Sequence, residues 1–193
     1  MLSFSIYLIL FYFFHSLLAA NPTKSFFSRM GLSPNYYRLF FNGFAILFSV
    51  VGIFIYENDE KTMILASNHL TKVVGIIMGI SGLGIVMMAL KNYNLAEFVG
   101  TQQVKNRSTS KPDQLITKGM NKWVRHPLYL GTILSMLGVF LLSPNDLLLS
   151  LVVVTIIYVF VGSYLEEQKL IAQFGEDYIK YQKKVPMIFP KWW

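Results

Sequence analysis

Five apolar runs constrain this chain more than any other feature: each is long enough, or nearly so, to cross a hydrocarbon core that needs about 20 residues. They cover about residues 2–20, 37–56, 73–90, 127–142 and 147–165. In lipid every backbone polar group needs an internal partner, so runs of this length become helices. The last two are joined by Ser143-Pro144-Asn145-Asp146, a turn signal that folds them into an antiparallel hairpin. The fourth run is short and either sits shallow or leans on its partner. The expected fold is all-α: a polytopic membrane bundle of about five transmembrane helices with a C-terminal helical hairpin. It forms a single domain over 1–193, with the first three spans in 1–91.

Charge orients the spans. The chain is 54% hydrophobic and 14% charged, with a formal net charge of +7. The bases flank the apolar runs instead of clustering, which speaks for a positive-inside pattern and against a nucleic-acid partner. The first loop carries Lys24, Arg29 and Arg38 with no acid, and the second sets Glu57, Asp59 and Glu60 against Lys61 and Lys72. From Lys91 to Arg125 there are seven bases against Glu97 and Asp113. This alternation puts the first, third and final polar segments in the cytoplasm and the N-terminus outside. The first run lacks a basic n-region, so a retained span is expected there and not a cleaved signal peptide. With no cysteine, disulfides, thiolate ligands and a cysteine nucleophile are excluded.

The third run holds Gly75, Gly79, Gly82 and Gly84, a spacing that suits close helix approach and not a nucleotide loop. Residues 92–122 turn polar, with 96–104 and 115–124 the more ordered parts. After the fifth run, Leu165, Ile171, Phe174, Tyr178 and Tyr181 share one helical stripe, interrupted by Gly175. The proline-bearing 185–190 tail is not regular helix, and its aromatics suit the membrane interface.

Chemistry concentrates in Trp123-Val124-Arg125-His126-Pro127-Leu128-Tyr129-Leu130-Gly131. Pro127 suits the first residue of a helix, where its missing N–H costs nothing. Arg125 and His126 then stand beside the unpaired N–H groups and the positive end of the dipole, with Tyr129 and Gly131 in the first turn or so. Such a mouth suits an anionic small molecule, although Arg125 also serves as a positive topology anchor. Folding about the Pro144–Asn145 turn brings Arg125 level with about residue 164, so Glu166 and Glu167 fall within about one turn of Arg125 and His126. Two readings stay open for this convergence. One is a structural ion pair, worth little when exposed. The other is a bipolar pocket, because ionisable groups gathered at a membrane-embedded mouth are costly.

Arg125 to Gly131, then Glu166-Glu167, then Phe174-Gly175-x-x-Tyr178-x-x-Tyr181, resembles the integral-membrane methyltransferase superfamily. That group includes isoprenylcysteine carboxyl, phospholipid N- and methanethiol S-methyltransferases. The likeness covers roughly residues 95–190. Gly100-Thr101-Gln102-Gln103-Val104, the 185–190 tail and His15-Ser16-Leu17-Leu18-Ala19 are most similar to the methanethiol branch. Asn121 departs from the pattern, standing where the family often has tyrosine, which puts one cofactor contact in doubt. The resemblance implies a cytoplasmic cap and a cofactor-binding half at 92–193 that takes S-adenosylmethionine without a Rossmann sheet. It implies Arg125, His126 and the N–H groups at Pro127's helix for the methionine carboxylate. It gives Glu166 and Glu167 to ribose hydroxyls or the ammonium, Tyr129 and Gly131 to the wall, and Gln103 with residues near 115–119 to the adenine.

A thiol acceptor must lose a proton, and His15, ionisable within an apolar span, is a candidate base. Its bland alternative is a histidine satisfied by a neighbouring carbonyl, and Glu167 competes for the role. Three distant histidines without an acidic partner at ligand spacing give no metal site. The reading is an S-adenosylmethionine-dependent methyltransferase in the membrane, its site facing the cytoplasm, acting on a small or lipophilic acceptor. A thiol leads, followed by a prenylcysteine carboxyl or an amino-lipid. An NADPH-dependent membrane reductase and a scaffold assembling through the third-span glycines are the alternatives from other classes.

Overall fold

The computed structural model describes residues 2–91 and 114–191, which form helices and no strand beyond one isolated bridge, Met63 with Asn145. Four helices have the length and apolar composition to cross a membrane, which makes the chain a polytopic helical membrane protein. The expected fourth span is the shorter helix Pro127–Leu142. The described residues divide into two compact units, 2–61 in one and 62–91 with 114–191 in the other.

In the N-terminal unit, α1 (Leu2–Ala19), α2 (Asn21–Arg29) and α3 (Pro34–Asn58) follow one another. Proline opens both α2 and α3, where its fixed φ suits the first turn. α1 and α3 run antiparallel. Ser3 donates to Asp59 at 3.1 Å, the Tyr7 hydroxyl donates to the Phe48 carbonyl, and the Tyr37 hydroxyl donates to the Leu18 carbonyl at 2.7 Å. A methyl group on Gly52 would stand 3.0 Å from the Tyr7 ring, tighter than ordinary contact.

In the C-terminal unit, α4 (His69–Leu90) opens on a reciprocal cap: Asn68 accepts from the Thr71 N–H, and Thr71 accepts from the Asn68 N–H. A 3₁₀ turn at Gly119–Lys122 precedes α5 (Pro127–Leu142), α6 (Asp146–Phe174) and α7 (Glu176–Lys184). The α5–α6 hairpin turns where expected. Buried Asn145 caps α6 by accepting from the Leu148 N–H at 2.9 Å, and Asp146 accepts from the Thr62 N–H at 3.0 Å. α6, at 29 residues, is about 43 Å long. Its apolar part ends near residue 165, so the turns from Glu166 onward lie beyond the spanning segment. Gly175 then ends α6 at φ +56, the positive region that favours glycine, and the expected single stripe becomes two helices.

α4 and α5 are in backbone contact. A Cβ on Gly82 would lie 2.5 Å from the Ser135 nitrogen and 2.6 Å from the Gly131 carbonyl oxygen. One on Gly138 would lie 2.5 Å from the Gly79 nitrogen and 2.7 Å from the Gly75 carbonyl oxygen. In lipid, where apolar side chains gain little by leaving one apolar phase for another, such close approach is what holds helices together. Gly75, Gly79 and Gly82 of the third span thus meet the backbone of α5. Gly138→Ala is expected to lower the melting temperature of detergent-solubilised protein, at a cost of about 1–3 kcal/mol. Gly84→Ala, where a Cβ meets nothing within 4 Å, is expected to leave it unchanged or slightly higher. Equal melting temperatures would remove this contact from the fold.

Candidate functional site at the mouth of the helical hairpin

Pro127 occupies the first turn of α5, and His126 is the residue before it. Opposite stands the end of the apolar part of α6, with Glu166 and Glu167 about one helical turn from that mouth. The hairpin arithmetic holds at the level of atoms. Arg125 Nε donates to Glu167 Oε1 at 2.6 Å and Nη2 to Oε2 at 3.0 Å, a paired fork with side chains only 10% and 8% exposed. His126 Nε2 lies 3.2 Å from Glu167 Oε1. Its ring is stacked on Tyr129, with centroids 5.4 Å apart and planes at 20°.

The two glutamates have different surroundings. Glu167 is buried and also accepts from Gln182 Nε2 at 2.8 Å. Glu166 is 45% exposed. It accepts from the Tyr129 hydroxyl at 3.0 Å, and its Oε2 lies 3.8 Å from His126 Nδ1. Burial would raise the Glu167 pKa, but the Arg125 hydrogen bonds and charge, with Gln182 and His126, outweigh it and hold the carboxyl below its usual range. Burial and the nearby Glu167 charge push the Tyr178 phenol well above the usual tyrosine value. The hydroxyls of Tyr178 and Ser163 are buried without a hydrogen-bond partner among the described residues.

The 185–190 tail is part of the site, which its sequence did not announce. The Arg125 N–H donates to the Pro186 carbonyl at 2.9 Å and the His126 N–H to the Met187 carbonyl at 3.0 Å. Arg125 Nη1 donates to the carbonyls of Gln182 at 3.1 Å and Val185 at 2.5 Å. Ile188 is 1% exposed in a core with Val124, Leu130, Ile133 and Val159, while Phe189 stays 55% exposed. Asn121 donates to the Arg125 carbonyl at 3.0 Å, and its own carbonyl accepts from the Tyr181 hydroxyl at 2.6 Å.

Of the expected site residues, Arg125, His126, Pro127, Tyr129, Glu166 and Glu167 are brought together here. Four of the five guanidinium N–H donors of Arg125 are engaged within the protein, so its free capacity for a ligand is small. Gly131 faces α4: a Cβ there would lie 2.7 Å from the Gly82 carbonyl oxygen and 2.8 Å from Val86 Cγ2. His15 belongs to the N-terminal unit, its ring centroid 6.1 Å from that of Phe11 and 4.7 Å from that of Phe41. Gln103 lies outside the described residues.

Fold and site together define an all-helical integral membrane protein with an ion-paired, donor-rich mouth on its C-terminal hairpin. Residues 24–185 match the family described as "Protein of unknown function (DUF1295)". Methanethiol S-methyltransferase 1 of Bradyrhizobium diazoefficiens is 39% identical over 100 residues, covering 50% of this chain and 34% of the relative. Methanethiol S-methyltransferase of Crocosphaera subtropica is 30% identical over 185 residues, covering 91% and 69%. Protein-S-isoprenylcysteine O-methyltransferase of Saccharomyces cerevisiae is 27% identical over 193 residues, covering 97% and 78%. The chain belongs to the DUF1295 family, and these relatives match the superfamily and the methanethiol branch that its motifs resemble. It spans about a third of the Bradyrhizobium relative and 43% of a Pseudomonas methanethiol S-methyltransferase. No solved structure matches it.

Removing the Glu167 charge is expected to cost about 3–5 kcal/mol, because Arg125 is left buried and unneutralised. The folded-state pKa of Glu167 lies below the unfolded one, so its stabilisation is complete above the ordinary carboxylate pKa of about 4.3. It is lost as pH falls through the folded value. Melting temperatures of wild type and Glu167→Gln are therefore expected to differ most near neutral pH, and the gap is expected to narrow as pH falls below about 4.3 and on through the folded value. A constant difference down to the most acidic pH would show that ionisation of Glu167 contributes nothing.

Proposed function

We propose that this protein is an S-adenosylmethionine-dependent membrane methyltransferase whose hairpin mouth faces the cytoplasm and whose acceptor is a small thiol or another lipophilic molecule. The observation that carries the reading is the pairing of a half-exposed Glu166, steadied by Tyr129, with the N-terminus of α5. The methyltransferase names of the relatives supply the reaction class.

The residues fit a zwitterionic donor. The first-turn N–H groups of α5 and His126 favour a carboxylate. Glu166 favours an ammonium or ribose hydroxyls, and it has the exposure to meet them. The buried, unpartnered Tyr178 hydroxyl is a further donor near the same charges. The family resemblance gives the adenine to residues near 115–119 and to Gln103, which lies outside the described residues. Bound S-adenosylmethionine supplies a methyl group on a sulfonium, open to in-line displacement. The chain's own task is then to orient and to exclude water.

Arg125 and Glu167 act as positioning residues in this reading, since protein partners take four of the five Arg125 donors and both Glu167 oxygens. A carboxylate held below its ordinary pKa is a weak base, so the proton of a thiol goes elsewhere. His15 stays a candidate base on its residue chemistry alone. The span of the yeast isoprenylcysteine relative across nearly the whole chain favours a second reading, methyl transfer to a prenylcysteine carboxyl.

S-adenosylmethionine is expected to raise the melting temperature of detergent-purified protein, and NADPH is not. Glu166→Ala and Tyr129→Phe are expected to weaken its binding about tenfold or more, as loss of a hydrogen bond to a charged group does. Transfer of labelled methyl to a panel of thiols, prenylcysteine analogues and amino-lipids then separates the acceptors. Stabilisation by NADPH in place of the methyl donor would overturn the reading.

A further inference from the structure

Helix α2 has a pattern that the reaction does not use. It has no buried residue, and it is tied tightly at both ends: α1 stops at Ala19 and α2 begins at Asn21, then α2 stops at Arg29 and α3 begins at Pro34. Both neighbours are long and apolar enough to cross a membrane. Linkers this short keep α2 at the bilayer surface.

Its side chains are sorted around the axis accordingly. With about 100° per residue, Phe26, Phe27 and Met30 fall on one side, and Asn21, Ser25 and Ser28 fall on the other. Arg29 stands about 60° to one flank of Phe26, and Lys24 about 60° to the opposite flank of Phe27. Phe27 packs on α3, with ring centroids 5.9 Å from Tyr37 and 5.4 Å from Phe40. Phe26 and Met30 remain 57% and 69% exposed. Bases at both borders of an apolar face are placed to bury their stems in the acyl boundary while their charges reach the phosphates. Residues 20–38 contain no acid.

We propose that α2 lies in the headgroup plane of an anionic leaflet, with Phe26 and Met30 in the acyl boundary and Lys24 and Arg29 on lipid phosphates. This is independent of the methyltransfer reading. The partner is anionic phospholipid and not a protein, because the exposed apolar side chains sit between two membrane-crossing helices.

The chain has no cysteine, so Phe26→Cys, Met30→Cys and Ser25→Cys each carry a single nitroxide in otherwise complete protein. The probes are vesicles of phosphatidylcholine alone and of phosphatidylcholine mixed with phosphatidylglycerol. Labels at 26 and 30 are expected to be oxygen-accessible and shielded from aqueous nickel, with the label at 25 the reverse. Phosphatidylglycerol is expected to raise the ratio of lipid-docked to water-exposed label about fivefold for each basic residue. The double variant K24Q/R29Q is expected to abolish that rise. Nickel-accessible labels at 26 and 30 would overturn the proposal, as would a docked fraction indifferent to phosphatidylglycerol. A lipid effect that survives K24Q/R29Q would overturn the assignment to these two residues.

Discussion

The bidentate contact between Arg125 and Glu167 is the interaction on which the C-terminal unit depends. It joins the residues just ahead of α5 to the far turns of α6, and through the same guanidinium it holds carbonyls at the end of α7 and in the tail. A lysine could neutralise Glu167 but could not reach both carboxylate oxygens and two carbonyls from one planar group. The arrangement matters more here than in a soluble protein. Within a bilayer the apolar faces of helices gain little by meeting, so polar ties and close backbone packing must specify the structure.

α5 shows how the two devices share one short helix. Its first turn carries the mouth, with His126 and Tyr129 stacked beside Glu166. Leu130 and Ile133 enter the core with Val159 of α6 and Ile188 of the tail. Gly131, Ser135 and Gly138 meet the backbone of α4. The glycine contacts fix how far α5 slides along α4, and so fix the depth at which its N-terminus opens. The mouth is as well placed as those contacts allow.

Much of this was legible because it follows from period and length. Hydropathy located the membrane-crossing helices, Pro127 marked a helix start, residues 143–146 marked the turn, and counting back from it put Arg125 beside Glu166 and Glu167. What stayed hidden has a common physical cause. The groups that saturate Arg125 and cover the N–H groups of Arg125 and His126 are mostly backbone carbonyls, at Gln182, Val185, Pro186 and Met187, and a carbonyl has no residue signature. Gly131 was expected at a pocket wall because of its neighbours in the motif. It faces α4, a direction that α4's own glycines at 75, 79 and 82 signalled once the two helices are read as a pair. The tail was read only through its aromatics, and Ile188 within it is core, since the tail is drawn inward by the same carbonyl contacts.

Two adjacent carboxylates about two turns before the end of α6 point about 100° apart, and that rotation is enough to give them separate surroundings. Glu167 turns inward, where it is neutralised by Arg125 and held by Gln182 and His126. Its charge is spent inside the protein. Glu166 turns outward, shares one hydroxyl with Tyr129, and keeps nearly half its surface open. Because the inner pair cancels, what remains at the mouth is the half-exposed acid of Glu166 beside the N-terminus of α5. A ligand with a single charge satisfies one of these and is opposed by the other. In the reading proposed above, a molecule carrying a carboxylate at one end and an ammonium or hydroxyls near it meets both, with the buried pair of Arg125 and Glu167 behind them.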